Sequence, residues 1–308
     1  MSENNLASYW QEKIVQINQE LAGLISVPAS GADLADYDFA KMHPPVIFEA
    51  MRYSLLAGGK RVRPLMLLAA AEAVGGQAVD CLPAACALEM IHAYSLIHDD
   101  LPAMDNDDYR RGKLTNHKVY GEGMAVLAGD ALLTAAFEII LRQKNTRPEI
   151  LLLVIKEIAQ AAGAQGMVGG QAADLIAEGK KISAPELKYI HQAKTGALFK
   201  AALRAGALLG GAGAEELAAL TKYAECFGLA FQITDDILDV TGDETKLGKP
   251  TGSDERNQKA TYVTLYSLAG AKDMAAKAVD EAQSHLAVFG AKAWVLRELA
   301  QYLLTRQA

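Results

Sequence analysis

Apolar residues recur at Leu6, Trp10, Ile14, Ile17, Leu21 and Leu24, the three-to-four-residue step that lines one face of a helix, so a helix is expected over residues 6–25. Pro28 to Asp38 reads as a loop. A second helix follows Pro44–Pro45, runs through Met51 to Leu56 and is stopped by Gly58–Gly59. Pro64 suits the first turn of a third helix, Leu65–Val74. The run Ala84 to Ile97 is apolar on all sides, which predicts a buried helix extending to about residue 101. Helical patterns recur over 121–143, 149–164, 166–178, Glu186–Leu209, 217–234, 261–288 and 292–305. Alternating β-branched runs are scarce, so a mostly helical chain is expected. No linker composition or internal repeat marks a boundary, and one domain over 1–308 is expected.

Half of the chain (51%) is apolar, and 308 residues suffice for one large core or two modest ones. A net charge of −7 speaks against nucleic acid as a partner and makes any local cluster of bases conspicuous. Cys81, Cys86 and Cys226 are few, odd in number and set among apolar residues, which reads as reduced thiols in a cytoplasmic protein. No basic stretch followed by an apolar core opens the sequence, so no secretory signal is expected. No uninterrupted apolar run reaches about 18 residues, so no transmembrane segment is expected.

The chemistry concentrates in His98–Gly112, H-D-D-L-P-A-M-D-N-D-D-Y-R-R-G, which holds five carboxylates followed by Arg110 and Arg111. Asp99 and Asp100 end an apolar helix, where the macrodipole disfavours anions by roughly 0.3–1 kcal/mol each. Mutual repulsion adds to that cost. A cation among the acids resolves the conflict, and Pro102 frees Asp105 to turn back toward Asp99. The cluster has oxygen donors without Cys or a spaced His pair, which favours Mg2+ over Zn2+. A Ca2+ loop starting at Asp105 fails, because its sixth position is Arg110 and its twelfth Asn116. The arginines suit a phosphate sharing the metal.

Lys60-Arg61-Val62-Arg63-Pro64 is the densest basic patch. It lacks P-loop spacing, yet beside an acidic metal cluster it reads as a phosphate clamp. Glu89 and His92 form E-x-x-H, but a di-iron bundle needs two such pairs and no second one occurs. His92 precedes Asp99 by two turns on nearly the same face. Gly166-Met-Val-Gly169-Gly170-Gln171 places glycines in a helix, which implies close approach of a neighbour. Gln171 and Asp174 follow on that helix. Lys194 and Thr195 lie in an apolar helix and call for a polar partner. A second acidic group, Asp235, Asp236 and Asp239, again ends an apolar helix, with Asp235 and Asp239 one turn apart. The two clusters are expected to face each other across a helical cavity and to hold several Mg2+ ions. Lys246, Lys249 and Lys259 follow, most of them in a Gly/Thr-rich loop, Thr241–Asn257, suited to closing over a phosphate.

In this order the motifs resemble the trans-prenyl diphosphate synthases along nearly the whole chain: Gly59-Lys60-Arg61-Val62-Arg63-Pro64, the first Asp motif with Arg110-Arg111-Gly112, Gly170-Gln171-x-x-Asp174, Lys194-Thr195 and Phe231-Gln232-x-x-Asp235-Asp236-x-x-Asp239. The four-residue gap between Asp100 and Asp105 resembles the bacterial short-chain branch, most nearly the bacterial farnesyl diphosphate synthases. The resemblance implies an all-α, isoprenoid-synthase-type bundle of roughly ten or more helices around a deep central cavity, usually a homodimer, that joins an allylic diphosphate to isopentenyl diphosphate. It implies three Mg2+ ions, two on Asp99 and Asp105 and the third on Asp235, with Asp100, Asp236 and Asp239 acting mostly through waters or by supporting the ligands from behind. Arg110, Lys194 and Lys249 would hold the allylic diphosphate; Lys60, Arg63, His92 and Arg111 would hold isopentenyl diphosphate. Thr195, Gln232 and the Lys194 carbonyl would stabilise the allylic cation. Tyr94 and Ser95 lie below the first motif, with Tyr94 about 7.5 Å down the helix from Asp99. An aromatic there resembles farnesyl-producing members, and smaller residues geranylgeranyl producers. A terpene cyclase carries N-D-x-x-S-x-x-x-E as its second motif, unlike D-D-I-L-D here. A non-catalytic regulatory subunit tends to lose an Asp motif, and both are intact.

Overall fold

The computed structural model describes residues 5–25, 44–242 and 260–306. These fold into α1 (Leu6–Leu24), α2 (Pro45–Leu55), α3 (Val62–Ala73), α4 (Leu82–Asp99), α5 (Asn116–Tyr120), α6 (Glu122–Ile140), α7 (Pro148–Ala162), α8 (Met167–Ala177), α9 (Ala184–His191), α10 (Ala197–Leu209), α11 (Ala214–Thr241), α12 (Tyr262–Ser284) and α13 (Trp294–Thr305). The all-α architecture is therefore present. Strands among the described residues are limited to β1 (Tyr109–Arg110) and β2 (Lys113–Leu114), an antiparallel ribbon two residues long. The loop expected over Pro28–Asp38 and the basic positions Lys246, Lys249 and Lys259 lie outside the described residues.

Two compact units emerge. One is drawn from Gln11–Pro64 and Leu82–Gln143, the other from Met1–Trp10, Leu65–Cys81 and Lys144–Ala308. In the first, the α4 unit, every residue from Ala84 to Ile91 is buried, all of them apolar save Glu89. Here α4 packs mainly on α6, with α2 against both.

Arg61 ties this unit together. It adopts a left-handed backbone conformation, φ 50°. From there its guanidinium donates to Asn18 Oδ1 of α1 at 3.0 Å, the Leu55 carbonyl of α2 at 2.7 Å and Glu89 Oε1 of α4 at 2.6 Å. Both charged side chains are at most 2% exposed. Their desolvation is offset by the pairing and by the additional hydrogen bonds. Arg61 and Glu89 are thus structural members of motifs that also carry candidate ligands.

In the second, the α11 unit, α11 lies along α12, and α10 contacts both α7 and α11. Small residues allow the closest approaches: a Cβ at Gly206 of α10 would come within 2.0 Å of the Leu67 carbonyl oxygen of α3. Phe199, Phe227 and Phe231 form an edge-on cluster with centroids 5.0–5.3 Å apart about Phe199. The buried Tyr223 hydroxyl donates to the Leu296 carbonyl at 2.7 Å and joins α11 to α13.

The single helix expected over Glu186–Leu209 is interrupted. Between α9 and α10 the chain makes a π turn, Gln192–Gly196. Buried positions explain it: Leu187, Ile190 and Ala193 follow in steps of three, then Leu198 comes five later. The wider turn accommodates the extra residue and restores the apolar face.

Glu122–Ile140 and Pro148–Ala177 are long and apolar enough to cross a membrane by composition (mean hydropathy 1.7 and 1.3). The second is broken between α7 and α8, and the core helices of a globular protein share this composition.

Replacing Glu89 by Gln should leave Arg61 buried without its counter-charge. A loss of about 3–5 kcal/mol in unfolding free energy is expected, read as a lower urea midpoint at unchanged m-value; an unshifted midpoint would contradict this role.

Candidate active site

In the α4 unit, Asp99 is the last residue of α4 and Pro102 comes three positions later. The chain turns back, and the Asp105 N–H donates to the Asp99 carbonyl at 2.8 Å. Asp99 is half-buried and Asp105 exposed. Basic side chains meet Asp100, Asp107 and Asp108. Asp100 is buried, and its Oδ1 accepts Arg110 Nε at 2.7 Å and a terminal Arg110 nitrogen at 2.6 Å. Asp107 accepts the same guanidinium at 3.5 Å, and Asp108 pairs with Lys118 at 2.7 Å. Burial works against the Arg110 charge, but Asp100, Asp107 and Asp99 outweigh it and raise its pKa. One Asp100 oxygen is therefore taken by Arg110.

Arg111 and Gly112 form the turn of the ribbon, with φ 54° and 75°, the doubly left-handed geometry of a tight two-residue hairpin. The Arg111 guanidinium donates to the Gly58 carbonyl and lies over Gly59. A Cβ at Gly59 would sit 2.6 Å from Arg111 Cζ, and Gly59 also has φ 127°. The positive φ calls for glycine there, whereas the crowding comes from the movable end of the Arg111 side chain. The ribbon in this way brings the second arginine to the basic turn before α3. His92 lies where burial, then Arg63, Arg111, Arg110 and Arg61, press its pKa well below the ordinary value. Its imidazole is neutral at neutral pH, amid guanidinium groups that together suit an anion. Lys60 is exposed on the same turn.

Tyr94 is 5% exposed, and its ring meets His98 edge-on at 5.6 Å. Its hydroxyl has no hydrogen-bond partner among the described residues. Burial, helped by Asp99 and Asp130, pushes the phenol up to about 12. Ser95 Oγ donates to the His92 carbonyl at 3.0 Å. His98 Nε2 lies 3.0 Å from the Val126 carbonyl, in a space that a Cβ at Gly129 would enter to 2.1 Å.

In the α11 unit, Lys194 in the π turn donates to Asp174 Oδ2 of α8 at 2.7 Å. This is a polar partner of the kind expected, and it joins the Gln171-x-x-Asp174 and Lys194-Thr195 motifs. Gly170 makes the contact possible: a Cβ there would meet the Lys194 backbone nitrogen at 2.2 Å. Nearby His191 is pressed down to about 4 by burial, with Asp174 opposing, Lys194 adding and Asp235 opposing. Asp235 therefore shares a neighbourhood with Lys194 and Asp174.

Along α11 the acids divide. Asp236 Oδ2 accepts the Tyr262 N–H at 2.6 Å, at the start of α12 where an anion is favoured. Asp239 is buried. Asp235 is 43% exposed in its side chain, and its Oδ1 accepts Arg306 at 2.6 Å; Gln232 Nε2 lies 3.5 Å from Oδ2. The same Arg306 nitrogen donates to Thr234 Oγ1 at 2.7 Å and the Phe231 carbonyl at 3.0 Å, with the guanidinium 4.4 Å from the Phe231 ring centre. Sequence reasoning missed Arg306, because one arginine after an apolar helix carries no signal of its partner. Thr195 is half-buried beside Lys194, whereas Lys249 lies outside the described residues.

Comparison with known proteins finds the polyprenyl synthetase family model over residues 44–289. A farnesyl diphosphate synthase of Geobacillus stearothermophilus is 56% identical over 245 residues, 79% of this chain and 82% of that one. A geranylgeranyl diphosphate synthase of Cyanophora paradoxa is 48% identical, covering 89% and 92% respectively. Among solved structures, an FPP/GFPP synthase from Zymomonas mobilis superposes with a TM-score of 0.85 at 39% identity, over 97% of this chain and 99% of that one.

Gly170→Ala should force α8 from the π turn, since the obstacle is backbone. A loss of about 1–3 kcal/mol is expected, together with weaker Lys194–Asp174 pairing. A thermal melt and the crystal distance between those two side chains would check it; an unchanged melt at an unchanged distance would contradict it.

Proposed function

The chain belongs to the polyprenyl synthetase family, as a trans-prenyl diphosphate synthase and so a prenyltransferase, and from that premise we propose Mg2+-dependent head-to-tail condensation of isopentenyl diphosphate with dimethylallyl and geranyl diphosphate to farnesyl diphosphate and pyrophosphate. The observation that carries the metal requirement is the division of the acids. Asp100 and Asp236 are buried against Arg110 and the start of α12, while Asp105 is exposed and Asp99 and Asp235, the latter paired with Arg306, are only half-buried. These are oxygen donors only, the set that Mg2+ takes. Three Mg2+ ions on Asp99, Asp105 and Asp235 would neutralise the diphosphate as it leaves.

The chain's own groups do the rest. Arg110, Lys194 and Lys249 hold the allylic diphosphate while its carbon–oxygen bond breaks. Lys60, Arg63, Arg111 and neutral His92 hold isopentenyl diphosphate, whose double bond attacks the allylic cation. Thr195, Gln232 and the Lys194 carbonyl offer lone pairs to that cation without acting as strong nucleophiles, and apolar surroundings keep water from quenching it. The final proton passes to the departed diphosphate. Because the motifs lie in different units, residues 1–308 are proposed to act as one catalytic domain.

Tyr94 supports the fifteen-carbon product: it is a buried aromatic five residues before Asp99. Ser95 beside it leaves the tyrosine as the bulk at that level. The geranylgeranyl synthase relatives give a second reading, a twenty-carbon product. A homodimer is proposed, and within the α4 unit the exposed apolar residues Val126 and Leu127 of α6 suit such a contact. A cytoplasmic location fits three free cysteines, with burial raising the thiols of Cys81 to about 12 and Cys226 to about 11.

Pyrophosphate release from geranyl plus isopentenyl diphosphate should require Mg2+ and cease with chelator. Asp99→Ala and Asp235→Ala should each lower kcat by about a hundredfold or more; turnover untouched by either change would sink the reading. Tyr94→Ala should lengthen the product, and chromatography showing only the fifteen-carbon chain would contradict the floor assigned to Tyr94.

A further inference from the structure

Cys226 of α11 and Glu281 and His285 at the end of α12 place a thiol sulfur, a carboxylate oxygen and an imidazole nitrogen within 4.8 Å of one another. None of the three belongs to a motif used in the proposed reaction. Glu281 and His285 are one turn apart, so their side chains share a face of α12. Cys226 comes from the neighbouring helix of the same unit, nine residues before Asp235. We propose that these three side chains form a binding site for a divalent transition metal, Zn2+ foremost, that clamps α11 to α12.

The donor set argues for this class of ion. Thiolate and imidazole prefer Zn2+ or Co2+ and are poor ligands for Mg2+. Tetrahedral Zn2+, with bonds of about 2.0–2.3 Å, separates its ligand atoms by about 3.3–3.8 Å. Closing from at most 4.8 Å asks for roughly an ångström, within reach of the rotatable Glu281 side chain. Glu281 is exposed and the other two half-buried, so an ion can enter. Glu225 is occupied by Lys222 at 2.9 Å and Lys200 at 3.4 Å, which leaves the fourth position to water.

The local charge also favours a cation. Beyond burial, Glu281 and Glu225 raise the Cys226 thiol against Lys222. A divalent ion reverses that balance: the sulfur–hydrogen bond breaks, the proton goes to solvent, and the thiolate pair bonds the metal. The site exists only where α11 and α12 lie together, so binding stabilises the folded chain by mass action.

The test uses the full-length protein, stripped with chelator and kept in excess Mg2+. Co2+ should bind one per chain with a thiolate-to-cobalt charge-transfer band, and Zn2+ should bleach the band by displacement. Cys226→Ser should abolish the band, and Glu281→Gln and His285→Ala should each weaken Zn2+ at least about tenfold. Zn2+ should raise the Tm of the parent and not of Cys226→Ser, whose metal-free Tm reports its folding; Cys81→Ser should keep the band. A missing band in the parent, a band that survives Cys226→Ser, or equal Zn2+ affinity in all variants would overturn the proposal.

Discussion

Carboxylates crowded at the ends of apolar helices repel one another and oppose the helix dipole, and much of this structure answers that conflict. In the α4 unit the answer is Arg110, brought by a tight hairpin onto Asp100 and Asp107. In the α11 unit it is Arg306 on Asp235, and the α12 amide on Asp236. These contacts leave Asp99 and Asp235 half-buried and Asp105 exposed, and there divalent cations would be taken.

The same economy separates support from chemistry within single motifs. In Lys60-Arg61-Val62-Arg63, Arg61 is buried against Glu89 and joins three helices, while Arg63 belongs to the cationic surroundings of His92. In Gly59 and Gly170 the missing side chain is the functional property: one accepts a guanidinium, the other a backbone. Neighbours in sequence thus have unlike roles, because the physical demand on each is set by what approaches it.

Helix positions and the two acidic clusters were legible because they rest on local spacing: apolar periodicity, Pro102 after Asp99–Asp100, and glycines in the α8 pattern. The hairpin at Arg111–Gly112 was legible in principle from its arginine–glycine turn flanked by short extended pairs, but the charges drew attention from it. The π turn left a trace in the five-residue step from Ala193 to Leu198. Partners far apart in sequence left none: Arg61 with Glu89, Lys194 with Asp174, Arg306 with Asp235. Each side chain announced only that it needed something.

The central claim is that the solvent-reachable acids Asp99, Asp105 and Asp235 hold divalent ions together with diphosphate. Mn2+ replaces Mg2+ at oxygen sites and can be counted by its paramagnetic signal during titration with inorganic pyrophosphate. The account predicts tight Mn2+ uptake that depends on pyrophosphate and is lost when Asp99 and Asp235 are both changed to Asn. Uptake that is the same in the double variant, or indifferent to pyrophosphate, would contradict it.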